Sequence, residues 1–240
     1  MIEIENVDVY GWKAAVRGMR NPMNSWENSD SGKCEDTNCQ DCSQYGKGCV
    51  EFDHSFVVGN NDLKLMQSLV KAGTDHSKFM RMINVTLDIT APLYWWKEFD
   101  TYKVGTVRNS CSTMHKIAEK EFTLDDFSHD HLYFSPVLCN FKNTIAVLNQ
   151  WRKLFNYTDK EREDYFNQNG HPSVLSKKDC WWQIIQLLPS SYNQRSTVQF
   201  NYAVLRNMYR SRKNHKLDEW RDFCKWVETL PYAKELICSE

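Results

Sequence analysis

The stretch Asp75–His115, DHSKFMRMINVTLDITAPLYWWKEFDTYKVGTVRNSCSTMH, decides the fold. Phe79 to Thr90 is rich in β-branched residues and alternates in part, which predicts a strand. Pro92 then opens a helix carrying Leu93, Trp95, Trp96 and Phe99. From Tyr102 the character changes. Lys103 and Arg108 are cations, Gly105 permits close backbone approach, and Asn109, Ser110, Ser112 and Thr113 are neutral hydrogen-bonding groups. That mixture suits a phosphate-bearing ligand. The plainer reading is a polar turn followed by a helix start capped by its serines.

Outward from this stretch, helix dominates. Ile2, Ile4, Val7 and Val9 make a short strand ending at Tyr10-Gly11. Trp12, Ala15, Val16 and Met19 share one face of a helix, which Asn21-Pro22 stops. Asn61 to Ala72 is a helix faced by Leu63, Met66, Leu69 and Val70 and stopped by Gly73. Thr123 caps a short helix at Asp125 and Asp126. Helices follow at Ile145–Phe155 and Cys180–Leu188, the second ending at Pro189. Residues 189–197, PSSYNQRST, are polar and turn-like. Two more helices are expected at Val198–Arg212 and Leu217–Leu230, with Pro231 as the stop.

The composition bounds the function. The 240 residues suit one large domain, 1–240, with 41% hydrophobic and 13% aromatic residues for its core. Thirty basic against 31 acidic residues leave a net charge of −1, which argues against duplex nucleic acid as a partner but leaves room for a local basic pocket. The start, MIEIENVDVYG, lacks the charged and apolar regions of a signal peptide. No run approaches the roughly 18 apolar residues of a membrane span, so a cytoplasmic protein is expected.

Residues 24–56 differ from the rest, a polar insertion with Cys34, Cys39, Cys42 and Cys49. The spacing C-x4-C-x2-C-x6-C offers four thiolates to one structural zinc. It also resembles an iron–sulfur spacing, and four unpaired thiols are the plainer alternative. The remaining cysteines (111, 139, 180, 224 and 238) are scattered and read as core or incidental. A second basic region begins at Arg195 and continues through Arg206, Arg210, Arg212 and Lys213, beside a core stripe of Leu205, Met208 and Tyr209. Such arginines fork onto phosphate, or form a solvated face balanced by Asp218, Glu219 and Asp222. His76 follows Asp75 at a helix exit, while His129 and His131 read as a solvated turn.

The order of these pieces resembles the flavin-dependent thymidylate synthases, in a divergent form similar to uncharacterised proteins of phages and prophages of Gram-positive bacteria. Ala14-Ala15-Val16-Arg17 stands where that family has an A-A-x-x-R-like run, and Asp75-His76 where it has an E-H pair. The family signature R-H-R-x-x-S-x-N-E-x-S-x-R-Y, aligned on its Asn and second Ser, falls on Tyr102 to His115. Leu188-Pro189, Ser211-Arg212 and Leu217-Asp218-Glu219-Trp220-Arg221 follow in the family's order.

The resemblance implies an α+β, helix-rich fold with a small, mostly antiparallel sheet flanked by long helices, and a homotetramer with sites between subunits. It further implies FAD as cofactor, contacted by His76, Tyr102 and Lys103. A nucleotide would be held by Lys103, Arg108, Asn109, Ser112, Arg195 and Arg212. Several positions depart from the family. Tyr102-Lys103-Val104 replaces the R-H-R triplet, Phe99 a nucleotide-contacting Gln, Val107 the signature Ser, and Met114-His115 the final Arg-Tyr. Three functions follow from the resemblance and its departures. The first expectation is a nucleotide-binding protein, for which a phage-type chain would have a host protein as partner. The second is a flavin-dependent enzyme with an altered substrate. The third is an interaction protein using the aromatic surface from Tyr94 to Tyr102.

Overall fold

The computed structural model describes residues 2–33 and 56–239. Strand β1 (Glu3–Tyr10) leads through Gly11 into helix α1 (Trp12–Arg20). Two short strands, β2 (Gly32–Lys33) and β3 (Phe56–Val57), pair antiparallel ahead of α2 (Asn60–Lys71). Strand β4 (Asn84–Pro92) runs straight into α3 (Leu93–Phe99), followed by β5 (Thr106–Ser110) and the single-turn α4 (Thr113–Lys116). Helices α5 (Ser135–Asn156), α6 (Asp159–Gln168) and α7 (Lys177–Leu187) come next. The chain ends with β6 (Asn193–Asn201), α8 (Tyr202–Arg212), α9 (Asp218–Val227) and α10 (Ala233–Leu236). The four-stranded sheet has the order β1-β4-β6-β5, with β1 antiparallel to β4, and the architecture is helix-rich with a small antiparallel sheet, as expected.

Two compact units are threaded through one another in sequence. One, the helical unit, holds Ala91–Trp96 and Ser110–Arg195; the other, the sheet unit, holds Ile2–Thr90, Lys97–Asn109 and Ser196–Glu240.

In the sheet unit, β4 turns Val85, Leu87 and Ile89 inward and leaves Thr86 and Asp88 half-buried between them, the period-2 pattern of a strand with one face in the core. It starts at Asn84 rather than Phe79, because Lys78–Arg81 forms a short 3-10 turn that buries Phe79 and Met80. Helix α1 buries Trp12, Ala15, Val16 and Met19, and the Trp12 ring meets Tyr202 and Tyr232 edge-on at 5.3 Å each. Gly11 makes the strand-to-helix corner at φ +100°, and a Cβ there would lie 2.0 Å from the Met82 carbonyl oxygen, so only glycine fits. A register shift between Glu5 and Asp8 bends β1 at Asn6, whose φ is +51°. The bulge is pinned by Asn6 Nδ2 donating to Asp88 Oδ2 at 2.8 Å.

Strand β6 corrects the sequence reading. Residues 193–201 form a strand, not a turn followed by a helix, and α8 begins only at Tyr202. Its inward positions are Gln194, Ser196, Val198 and Phe200. The first two are polar and hide the alternation from a hydropathy reading. They tolerate burial because each is hydrogen-bonded: Gln194 Nε2 donates to the Cys111 carbonyl at 2.7 Å, and Ser196 Oγ accepts from Arg108 Nε at 3.0 Å.

The helical unit gathers Phe122, Phe127, Ile145, Leu148 and Ile184 into one cluster, and Leu154, Phe166 and Cys180 into a second. Helix α5 is a full 22 residues, beginning well before the expected Ile145. Helix α6 was not expected at all. Its capping box, Thr158 with Glu161, is the signal that marks it, and α7 starts on a second one, Ser176 with Asp179.

Candidate functional site: an arginine held by Glu98

The site is built in the sheet unit, where the C-terminal end of α8 carries Arg212 and α3 ends beside Glu98. Arg212 Nη1 donates to Glu98 Oε2 at 2.5 Å, and Arg212 Nε donates to Tyr102 Oη at 2.9 Å. Trp220 Nε1 donates to the same Glu98 oxygen at 3.0 Å. The guanidinium lies over the Trp220 ring at 4.9 Å and the Tyr102 ring at 5.7 Å, so its plane is fixed by stacking as well as by hydrogen bonds.

His215 completes the cluster. Leu217 donates its N–H to His215 Nδ1 at 3.2 Å, and Nε2 of that ring lies 3.3 Å from Glu98 Oε2. Arg212 Nη1 also approaches His215 Nε2 at 3.0 Å. Glu98 Oε2 thus accepts from an arginine and a tryptophan, with the His215 ring close by. The pair is only partly buried, with 19% of the Arg212 side chain and 34% of Glu98 exposed. Arg212 Nη2 has no hydrogen-bond partner among the described residues.

The expected site residues distribute as follows. Tyr102 and Arg212 come together. Arg108, on β5, donates from Nη1 to both Asp100 carboxylate oxygens, at 2.7 and 2.9 Å, and from Nε to Ser196. Lys103 and Gly105 lie exposed in the turn before β5. Gly105 is needed there, at φ +77°, because a Cβ would stand 2.9 Å from Asn201 Nδ2 and 3.1 Å from Val204 Cγ2 at the start of α8. The close approach it permits is to protein. Asn109 is exposed on β5, and His76 is exposed in the turn after α2. In the helical unit, Ser112 caps α4 by accepting from the His115 N–H at 3.2 Å, as the plainer reading has it. Arg195 is exposed on β6.

The other arginines of α8 serve the fold. Arg206 Nη1 donates to the carbonyls of Leu236 and Ile237, tying down the C-terminal helix. The buried thiols are unreactive by environment: burial pushes Cys224 up to about 12 and raises Cys180. Sequence reasoning missed Glu98, His215 and Trp220. Glu98 lies 114 residues from Arg212, and an acid at a helix end is ordinary; only charge pairing across the fold reveals it.

Cys34, Cys39, Cys42 and Cys49, expected to hold zinc, lie outside the described residues. Among the described residues no group of three or more His, Cys, Asp and Glu side chains is placed to hold a metal, and no helix is long and apolar enough to cross a membrane.

No protein-family model matches the sequence, and no curated protein matches it. Among solved structures the fold is that of the flavin-dependent thymidylate synthases. A crystal structure of the flavin-dependent thymidylate synthase ThyX from Helicobacter pylori, complexed with FAD and dUMP, matches at a TM-score of 0.59 and 15% identity, over 98% of this chain and 97% of that one. A second structure of ThyX from the same organism with FAD and dUMP matches at 0.60 and 15%, over 99% and 97%.

Of the cations expected at the site, only Lys103 is exposed without an ion-pair partner among the described residues. The diphosphate of a flavin dinucleotide calls for uncommitted cations, yet Arg108 is paired with Asp100 and Arg212 with Glu98. That leaves Lys103 and the open edge of Arg212 to meet a diphosphate. One phosphate asks for less, and Arg212 retains an open edge for it.

Proposed function

We propose that the chain is a nucleotide-binding protein on the flavin-dependent thymidylate synthase fold, taking a nucleoside monophosphate at Arg212. The observation that carries this is the setting of that guanidinium. Trp220 and Tyr102 fix its plane, Glu98 and Tyr102 fix its Nη1 and Nε, and Nη2 is left to meet an oxygen. A cation already oriented loses little freedom when it binds. Lys103 follows Tyr102 directly in the chain and brings a second charge to the same turn. Arg108, Asn109, Ser112 and Arg195 complete the candidate set, brought together by self-association into the tetramer the family resemblance implies. A phage-encoded origin, a host protein partner and a cytoplasmic location belong to the same reading.

Titration calorimetry with dUMP and with FAD tests it. The protein binds dUMP, the Arg212→Ala variant binds it at least about tenfold more weakly, near 1.4 kcal/mol, and FAD binds more weakly than dUMP. Light scattering reads the oligomer in the same samples. A protein that ignores every nucleotide offered overturns the proposal. One that is yellow as purified and binds FAD tightly moves the assignment to a flavin-dependent enzyme.

A further inference from the structure

A cavity in the sheet unit, away from Arg212, has a different chemistry. It measures about 630 Å³ and lies between α1 and the segment leading from Trp26 to β2, with Phe56 of β3 across from them. That volume is in the range that holds small ligands. Val16, Trp26 and Phe56 supply apolar walls, while Lys13, Arg17 and Lys33 bring three cations to its lining. Arg17 and Lys33 are exposed and have no ion-pair or hydrogen-bond partner among the described residues.

The floor beneath these cations is closed. Arg20 Nε donates to Asp62 Oδ1 at 2.6 Å, with side chains 6% and 0% exposed. Arg20 also donates to the carbonyls of Ser25 and Asn28 at 3.0 and 2.9 Å. Asp62 Oδ2 accepts from Ser29 Oγ at 2.6 Å, from Ser31 Oγ at 2.5 Å and from the Ser31 N–H at 3.1 Å. Asp30, in turn, accepts the N–H groups of Asn61 and Asp62 at the start of α2. Asp62 and Asp30 are therefore engaged by the scaffold, and among the described residues no Asp or Glu lines the cavity. A cavity with aromatic walls and the exposed cations Arg17 and Lys33 at its edge is suited to an amphipathic anion.

From this we infer a second ligand site, one that takes a small aromatic anion: a ring against Trp26 and Phe56, with a phosphate or carboxylate facing Arg17 and Lys33. Trp26 is rigidly set for the role, because its Nε1 donates to Asn21 Oδ1 at 2.8 Å while half of the residue stays exposed. The scaffold that shapes the cavity includes Trp26, Ser29, Ser31 and Lys33, which all fall within the polar insertion at 24–56. The site is thus independent of the Arg212 cluster, which uses none of these residues.

The test is 19F NMR of full-length protein carrying 5-fluorotryptophan, with the Trp26 resonance assigned by Trp26→Phe. Phenyl phosphate, benzoate and neutral benzyl alcohol are the probes. Both anions are expected to shift the Trp26 signal, and benzyl alcohol to need at least about ten times the concentration. In the double variant Arg17→Gln, Lys33→Gln the anions lose that advantage, while Arg212→Ala leaves it intact. An unmoved Trp26 signal, or equal response to charged and neutral probes, overturns the inference. Loss of the shift in Arg212→Ala with retention in the double variant also overturns it, placing the ligand at the other site.

Discussion

Arg20 and Arg212 are both arginines at helix ends paired with a carboxylate, yet they do opposite things. Arg20 meets Asp62 in the interior, and every donor and acceptor of that pair is answered by Ser25, Asn28, Ser29 or Ser31. Arg212 meets Glu98 at the surface, stacked on Trp220, with one edge of the guanidinium unanswered. A buried pair that is fully satisfied can only be broken, at a cost. A half-exposed pair with spare hydrogen-bonding capacity can take on a further partner. The contrast separates scaffold from site better than the count of basic residues does.

Breaking the comparison at its buried side has the largest effect. Arg20→Ala leaves the Asp62 carboxylate buried without its cation and is expected to cost about 3–5 kcal/mol, as such truncations do, read as a drop in the urea midpoint. Arg212→Ala is expected to cost about 1 kcal/mol or less in the same experiment, because exposed pairs contribute little, while weakening dUMP binding at least about tenfold. A variant that inverts this order would remove the distinction.

Acid sharpens the contrast. Burial alone would raise the Asp62 pKa, but hydrogen bonds from Ser29, Ser31 and Arg20, with the charge of Arg20, hold it below the usual carboxylate range. A depressed folded-state pKa gives stability that is present above the unfolded value, near 4, and lost as pH falls through the folded one. Urea midpoints should therefore fall below about pH 4 in the natural chain. Asp62→Asn should have a lower midpoint at neutral pH and a shallower acid limb. An acid limb as steep in Asp62→Asn as in the natural chain would take Asp62 out of that account.

The same contrast explains what the sequence made legible. Helices α1 and α2 and strand β4 are readable because apolar side chains mark their buried faces at regular spacing: Trp12, Ala15, Val16 and Met19 on α1, and Val85, Leu87 and Ile89 on β4. Strand β6 is not, since Gln194 and Ser196 point inward, their polarity offset by hydrogen bonds with Cys111 and Arg108, more than 80 residues away. In the site, Tyr102 and Arg212 are both legible as candidates, one from each basic region. Their partnership is not, because it depends on Glu98, and nothing local in Trp-Trp-Lys-Glu-Phe distinguishes that acid from a solvated one.

In the proposed site a ligand phosphate meets Arg212 at its open Nη2, and the charge of Glu98, held on Nη1, opposes that phosphate. Titration of dUMP into Glu98→Gln tests this most directly, at low salt where the opposition is least screened. Gln keeps an oxygen to accept from Arg212 and Trp220 but removes the opposing charge. Affinity should rise by about threefold, equivalent to roughly 0.6 kcal/mol, with the urea midpoint almost unchanged. An affinity that is unchanged or weakened in a variant that folds normally would contradict the account.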